Sequence, residues 1–235
     1  MSKTRKERKS KDELFIHELE ESQFLVNHLR IDVIKDYLNQ FDEYLKNKTK
    51  EINKNITEWQ NSEKEKEYSA IDYYLGDYIN YNSNFRKLKI ESTFLSSYSL
   101  FEHFFKTFTE IYKNHYDLQL SIDDLNGNNY ISKSKRYLEK VVNLNLESLN
   151  SDWKEITNFQ KIRNKIVHNN GRFNPKEKET INELSKMGGI EINVLGLINL
   201  TDKEFILNFW KVFDKYISGI IKLTAEETKT TPNTV

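Results

Sequence analysis

NFRKLKIESTFLSSYSLFEHFFKTFTEIYKNHY, residues 84–116, carries the strongest core pattern in the chain. Leu88, Phe94, Leu95, Tyr98, Phe101, Phe104, Phe105, Phe108, Ile111 and Tyr112 recur in it at helical spacings. An α-helix gathers positions three and four apart onto adjoining faces. Here the apolar set covers most of the circumference, which predicts a centrally buried helix. Neither Gly nor Pro interrupts the run, so nothing local breaks it.

The same periodicity extends toward the N-terminus. Leu25, Leu29, Ile34, Leu38, Phe41 and Leu45, then Ile52, Ile56 and Trp59, read as one long helix from Asp12, open to a break near Asn47-Lys48. Lys64-Glu65-Lys66-Glu67 reads as a solvated face or loop rather than a site. Ile71, Leu75, Tyr78 and Ile79 predict a helix that ends around Tyr81–Asn84. Toward the C-terminus, Asp123–Asn129 contains Asn126-Gly127 and reads as a loop. Ser132 is the expected cap of a helix from Lys133 to about Asn143. Asn150 or Ser151 caps a helix carrying Trp153, Ile156, Phe159, Ile162 and Ile166, which Asn169-Asn170-Gly171 stops. Asn174-Pro175 is a cap and first-turn proline opening Lys176–Met187, ended by Gly188-Gly189. Ile190–Leu200 alternates weakly, as a short hairpin would. Thr201–Glu204 fits a capping box for a last helix with Phe205, Phe209, Phe213, Ile217 and Ile221. The expected fold is all-α with a small β-hairpin near 190–200. The expected organisation is a disordered basic tail over 1–11, an N-terminal helical extension over 12–62, a helical domain over 63–226 and a flexible tail over 227–235.

Composition narrows the functional classes. The 36 basic and 36 acidic residues balance, which argues against a protein that coats nucleic acid non-specifically and leaves room only for a local basic cleft. There is no cysteine, so thiol chemistry, disulfides and Cys-based metal sites are excluded. His17, His28, His103, His115 and His168 show no metal-ligand spacing, and no catalytic metal or other cofactor is expected. No phosphate-binding or dinucleotide glycine motif occurs, nor a Gly-x-Ser-x-Gly elbow. The basic start lacks the apolar stretch of a secretory signal, and no apolar run approaches a membrane span. A soluble, cytoplasmic protein with no membrane partner is therefore expected.

One segment carries chemistry: Lys161-Ile162-Arg163-Asn164-Lys165-Ile166-Val167-His168-Asn169-Asn170-Gly171. Arg163, a polar Asn164, three residues and His168 form R-N-x-x-x-H at the end of an aromatic-rich helix. Taken alone, an Arg and a His five apart are a surface cation and a His that favours a helix C-terminus. Together with the helical context and the Asn-Asn-Gly stop, the segment resembles the R-x(4–6)-H signature of HEPN domains. The resemblance is sharpest over Trp153–Pro175, weaker over Asn84–Ile221, and does not reach residues 1–60. It implies a HEPN-like helical bundle and a metal-independent endoribonuclease, acting as a toxin or antiviral defence effector. It implies RNA as substrate, a homodimer that brings two motifs into one cleft, and an antitoxin or other defence-system protein as partner. It also admits a non-catalytic scaffold that binds a partner protein or a nucleotide.

The residue chemistry suits RNA cleavage. His titrates near neutrality and can take or give a proton. Arg presents a fixed fork of donors to a phosphate. RNA brings its own nucleophile in the 2′-OH. The expected catalytic set is Arg163 and His168, with Asn164 orienting and Glu102 positioning. Glu102 lies on the most buried helix, where a carboxylate is costly unless paired. Its expected partner is Arg163 or His168, unless it sits on a solvated seam. Lys165, Arg172, Lys161 and Asn169 are the expected RNA contacts. Lys133, Lys135, Arg136 and Lys140 form a second basic cluster that reads better as solvated helix faces. Tyr130 and Phe173 are base-stacking candidates that read better as packing. Positions five apart are about 140° apart around a helix. Arg163 and His168 therefore share no face unless the helix unwinds near Val167; otherwise Arg163 points inward as an organiser.

Overall fold

A computed structural model describes residues 10–62, 69–127 and 129–230. Of the tails expected over 1–11 and 227–235, residues 1–9 and 231–235 lie outside the described residues, as does the charged run over 64–67; Lys11 and 227–230 are helical. The fold is all-α with one small antiparallel hairpin.

Helix α1 (Lys11–Val26) opens on a capping box. Ser10 Oγ accepts from the Glu13 N–H at 3.1 Å, and the Glu13 carboxylate accepts from the Ser10 N–H at 2.7 Å. A wider π-type turn over Asn27–Ile31 joins it to α2 (Asp32–Gln60). The interruption thus falls at Asn27–Ile31, and α2 runs unbroken through Asn47-Lys48, where Lys48 pairs with Glu51 at 2.8 Å. Helix α3 (Ala70–Ile79) passes through a second π-type turn, Asn80–Asn84, into α4 (Phe85–His115). The expected stop at Tyr81–Asn84 is corrected by the asparagines. Asn82 Nδ2 donates to the Tyr78 carbonyl at 3.0 Å and Asn84 Nδ2 to Asn80 Oδ1 at 2.9 Å, so residues that favour turns here bond back along the helix.

Helix α5 (Tyr130–Lys140) is capped by Asn129, whose Oδ1 accepts from the Ser132 N–H at 2.8 Å; Ser132 is the third helical residue and not the cap. Helix α6 is Asn150–His168. Asn174 Oδ1 accepts from the Lys176 N–H at 2.9 Å, but Glu177 leaves the helical region at ψ 41°. Helix α7 (Lys178–Leu184) is accordingly later and shorter than the Asn-Pro signal predicts. Strands β1 (Ile190–Ile192) and β2 (Ile198–Leu200) pair with Ile190 opposite Leu200. Asp202, not Thr201, caps α8 (Glu204–Thr230), its Oδ1 taking the Glu204 N–H at 3.1 Å. Helix α8 continues through residues expected to fray.

The chain divides into two compact units. The first holds the described parts of Met1–Arg30, Ser97–Phe159 and Phe209–Val235. Its core is aromatic. Phe101 is fully buried against Phe105, Phe209 and Phe213, the last at 4.5 Å between ring centres. Burying each such ring is worth roughly 1.5–3 kcal/mol. Two polar pairs inside it are bonded: Tyr112 Oη and Thr224 Oγ1 lie 2.7 Å apart, and Trp210 Nε1 donates to Ser97 Oγ at 3.3 Å; the buried Ser134 and Tyr216 hydroxyls have no hydrogen-bond partner among the described residues. The second unit holds the described parts of Ile31–Ser96 and Gln160–Asn208. Leu38, Leu45, Ile52, Ile90, Phe94, Ile162, Phe173, Leu184 and Phe205 are buried in it, and Lys89, buried, is paired with Asp42. Of the ten apolar positions that predicted a buried α4, eight are buried, Leu95 is half-buried and Leu88 is exposed; Ser92, Ser96, Ser99, His103, Thr107 and Glu110 leave one side of the helix open, so the burial is not all round. Among the described residues no helix is long and apolar enough to cross a membrane.

Candidate functional site

The motif occupies the last turns of α6 and the chain that follows. Ile162 is buried and anchors this end of the helix in the second unit. The helix stays regular to His168, so the unwinding expected near Val167 does not occur. The Asn169 and Gly171 N–H groups both return to the Lys165 carbonyl, at 3.0 and 2.9 Å. Asn170 at φ 50° and Gly171 at φ 68° then turn the chain away, the left-handed stop that Asn-Asn-Gly predicts.

With a regular helix, angles about the axis follow from 100° steps. Lys161, Asn164, Lys165 and His168 fall within an arc of about 100°, whereas Arg163 lies well outside it. His168 is exposed and has no hydrogen-bond or ion-pair partner among the described residues. Arg163 is half-buried, and its Nη1 donates to Asn164 Oδ1 at 3.1 Å. Asn164 is therefore the link between them: it shares a face with His168 and accepts from Arg163. Such a side chain can fix the guanidinium while leaving the imidazole open to a ligand.

The loop after the motif is pinned from two sides. The Phe173 N–H donates to the Gly196 carbonyl at 2.8 Å, the Ile198 N–H donates to the Gly171 carbonyl at 2.8 Å, and Arg172 bridges Leu197. The hairpin thus borrows Gly171–Phe173 as a further short strand. Asn193 shapes its turn, with Oδ1 accepting from the Leu195 and Leu197 N–H groups at 2.9 and 3.0 Å. On the other side, Lys165 Nζ donates to Glu177 Oε2 at 2.8 Å and lies 5.0 Å from the centre of the buried Phe173 ring. The same Glu177 oxygen accepts from the Asn174 N–H at 2.8 Å. These bonds, the Lys165 contact foremost, hold the Glu177 carboxyl below its usual range.

The structure thus brings Lys161, Arg163, Asn164, Lys165 and His168 to one helix end. Lys165 is committed within the chain, and Lys161 lies 3.7 Å from Glu183. Arg172 and Asn169 are exposed beside the turn. Glu102 is half-buried on the part of α4 that belongs to the first unit. Phe173 is packing, as its alternative reading held. In the second basic cluster Lys133 is buried against the Tyr130 ring, Lys135 pairs with Glu139 and lies over Trp153, and Arg136 donates to the Asn126 carbonyl. Three of the four cations are thus engaged within the chain, and Lys140 is exposed. Glu177 and Asn193 went unnoticed in the sequence: Glu177 lies 12 residues from Lys165, a pairing no local pattern encodes. Among the described residues no three His, Asp or Glu side chains group as a metal site. No known protein family, curated protein or solved structure matches the chain.

Proposed function

We propose that the chain is a HEPN-like, metal-independent endoribonuclease. The observation that carries the reading is the open His168 imidazole at a pinned helix end, with Asn164 on its face and accepting from the Arg163 guanidinium. In the reaction, an imidazole takes the proton of an RNA 2′-OH and the 2′ oxygen attacks phosphorus. The bond from phosphorus to the 5′ oxygen breaks, and that oxygen receives a proton from an acid. Arg163 neutralises charge growing on the phosphate oxygens. One His168 supplies one proton-transfer group, so a homodimer placing a second copy's motif in the same cleft supplies the other. Arg172 and Asn169 take the RNA backbone, with Lys161 beside them. The products carry 2′,3′-cyclic phosphate and 5′-OH ends. The setting that fits is a cytoplasmic toxin or antiviral effector, restrained by an antitoxin or another defence protein.

The test is cleavage of total RNA by the purified chain in EDTA, with the ends mapped. His168→Ala is expected to abolish cutting and any toxicity on expression while helical content is kept. Full activity in that variant rejects the assignment, and an active monomer rejects the composite cleft. A second reading, a non-catalytic helical scaffold, draws support from Lys165, whose charge is already satisfied by Glu177. That reading expects RNA to remain intact under all these conditions.

A further inference from the structure

We infer that the groove between α1 and α4 in the first unit is a docking site for an amphipathic helix of a partner protein, acidic at its N-terminus and cationic at its C-terminus. The groove has a volume of about 460 Å³. Leu25, Leu29, Leu100, Phe104 and Ile111 supply its apolar surface. Leu29 is 62% exposed and Leu25 44%, so the described residues leave this surface uncovered.

Three features give the groove its occupant. First, α1 is apolar on two faces. Phe15 and Leu19 point into the unit, while Leu25 and then Leu29 of the following turn are left outside. A helix with two apolar faces is suited to cover on both. Second, the length fits. The wall from Glu18 to Arg30 spans about 18 Å at the helical rise, room for roughly three turns of a guest helix. Third, the rim is charged with opposite signs at its ends. Glu18 and Glu21 stand at one end and Arg30 at the other, and none of the three forms an ion pair among the described residues.

The polarity sets the guest's direction. Phe15 meets Tyr112 at 5.2 Å and stacks on His115 at 3.9 Å, so the glutamate end of α1 lies toward the end of α4. Arg30 and Leu29 lie toward Leu100 and His103. A helix carries partial positive charge at its N-terminus and is steadied there by carboxylates, and by cations at its C-terminus. A guest with Glu in its first turn and Lys in its last satisfies its own dipole and the rim together. It does so only when its first turn lies at Arg30 and its last at Glu18 and Glu21, antiparallel to α1. The inference does not depend on whether His168 cleaves RNA.

The experiment uses the full chain and two fluorescein-labelled peptides of three to four turns. Both carry one leucine stripe. Probe one has Glu in the first turn and Lys in the last; probe two exchanges them. Anisotropy titration is expected to show saturable binding of probe one, with probe two about tenfold weaker. Leu29→Asp removes binding, and the double variant Glu18→Lys, Glu21→Lys erases or reverses the preference, with circular dichroism unchanged in both. Equal affinity for the two probes, no saturation by probe one, or indifference to the variants overturns the inference. So does sedimentation showing self-association that Leu29→Asp dissolves, which assigns the groove to a second copy. Binding of phosphatidylglycerol vesicles lost in the same variant assigns it to a lipid surface and equally overturns it.

Discussion

Replacing Gly196 with Ala tests how the motif loop is held. Gly196 has φ +75°, and a Cβ there would stand 2.4 Å from the Phe173 carbonyl oxygen. Two costs combine. The left-handed backbone costs an L-residue about 1–2 kcal/mol. The clash is with backbone, so it is relieved only by parting the Phe173–Gly196 and Ile198–Gly171 bonds, each 2.8 Å long. Losing both costs about 1–3 kcal/mol at the usual worth of a hydrogen bond. Ala returns about 0.4–1 kcal/mol by stiffening the unfolded chain. The net is a local destabilisation of about 1–5 kcal/mol, centred near 3. Gly171 is the matched control: its φ is +68°, but nothing lies within 4 Å of its would-be Cβ. Gly171→Ala carries the strain alone and should cost about 0–1.6 kcal/mol. Amide exchange across residues 169–200 reads the difference, expected as a further loss of protection of about tenfold or more in Gly196→Ala. Equal protection in the two variants refutes the claim that the hairpin pins the motif.

Three other outcomes follow from the same structure. Phe101→Ala empties a site packed by Phe105, Phe209 and Phe213 and should cost about 3–5 kcal/mol in denaturant unfolding, against little for exposed Leu88→Ala. Burial above all, with help from Lys11 and against the pull of Asp12, holds the His115 pKa below its ordinary 6.5. The folded state then binds fewer protons than the unfolded chain, so stability is greatest above pH 6.5 and falls as pH drops toward the depressed folded value. Thermal melts across that window should show the slope in the native chain and a shallower one in His115→Gln. Glu177→Gln frees Lys165, so any RNA affinity should depend more steeply on salt, its log–log slope growing by about 0.7; an unchanged slope means Lys165 stays off the phosphates.

That the chain is helical could be read from its residues alone, because that information is local. The aromatic spacing of Phe94–Tyr112 needs one buried axis, Asn169-Asn170-Gly171 supplies a left-handed stop, and the alternation at 190–200 supplies a hairpin. Where local signals misled, a competing bond prevailed. Asn82 and Asn84 read as a turn but bond back along the helix, and Asn129 displaced Ser132 as a cap. The candidate site was legible as a string, the R-N-x-x-x-H spacing of Arg163, Asn164 and His168. Which of the polar side chains stay open was set by the packing of distant segments. Lys165 is neutralised by a glutamate on the far side of a turn, Lys133 is buried on a tyrosine, and His168 is left open. Helix periodicity is set by neighbours three and four residues away, whereas the partner of a charge is set by packing between segments that no short window contains.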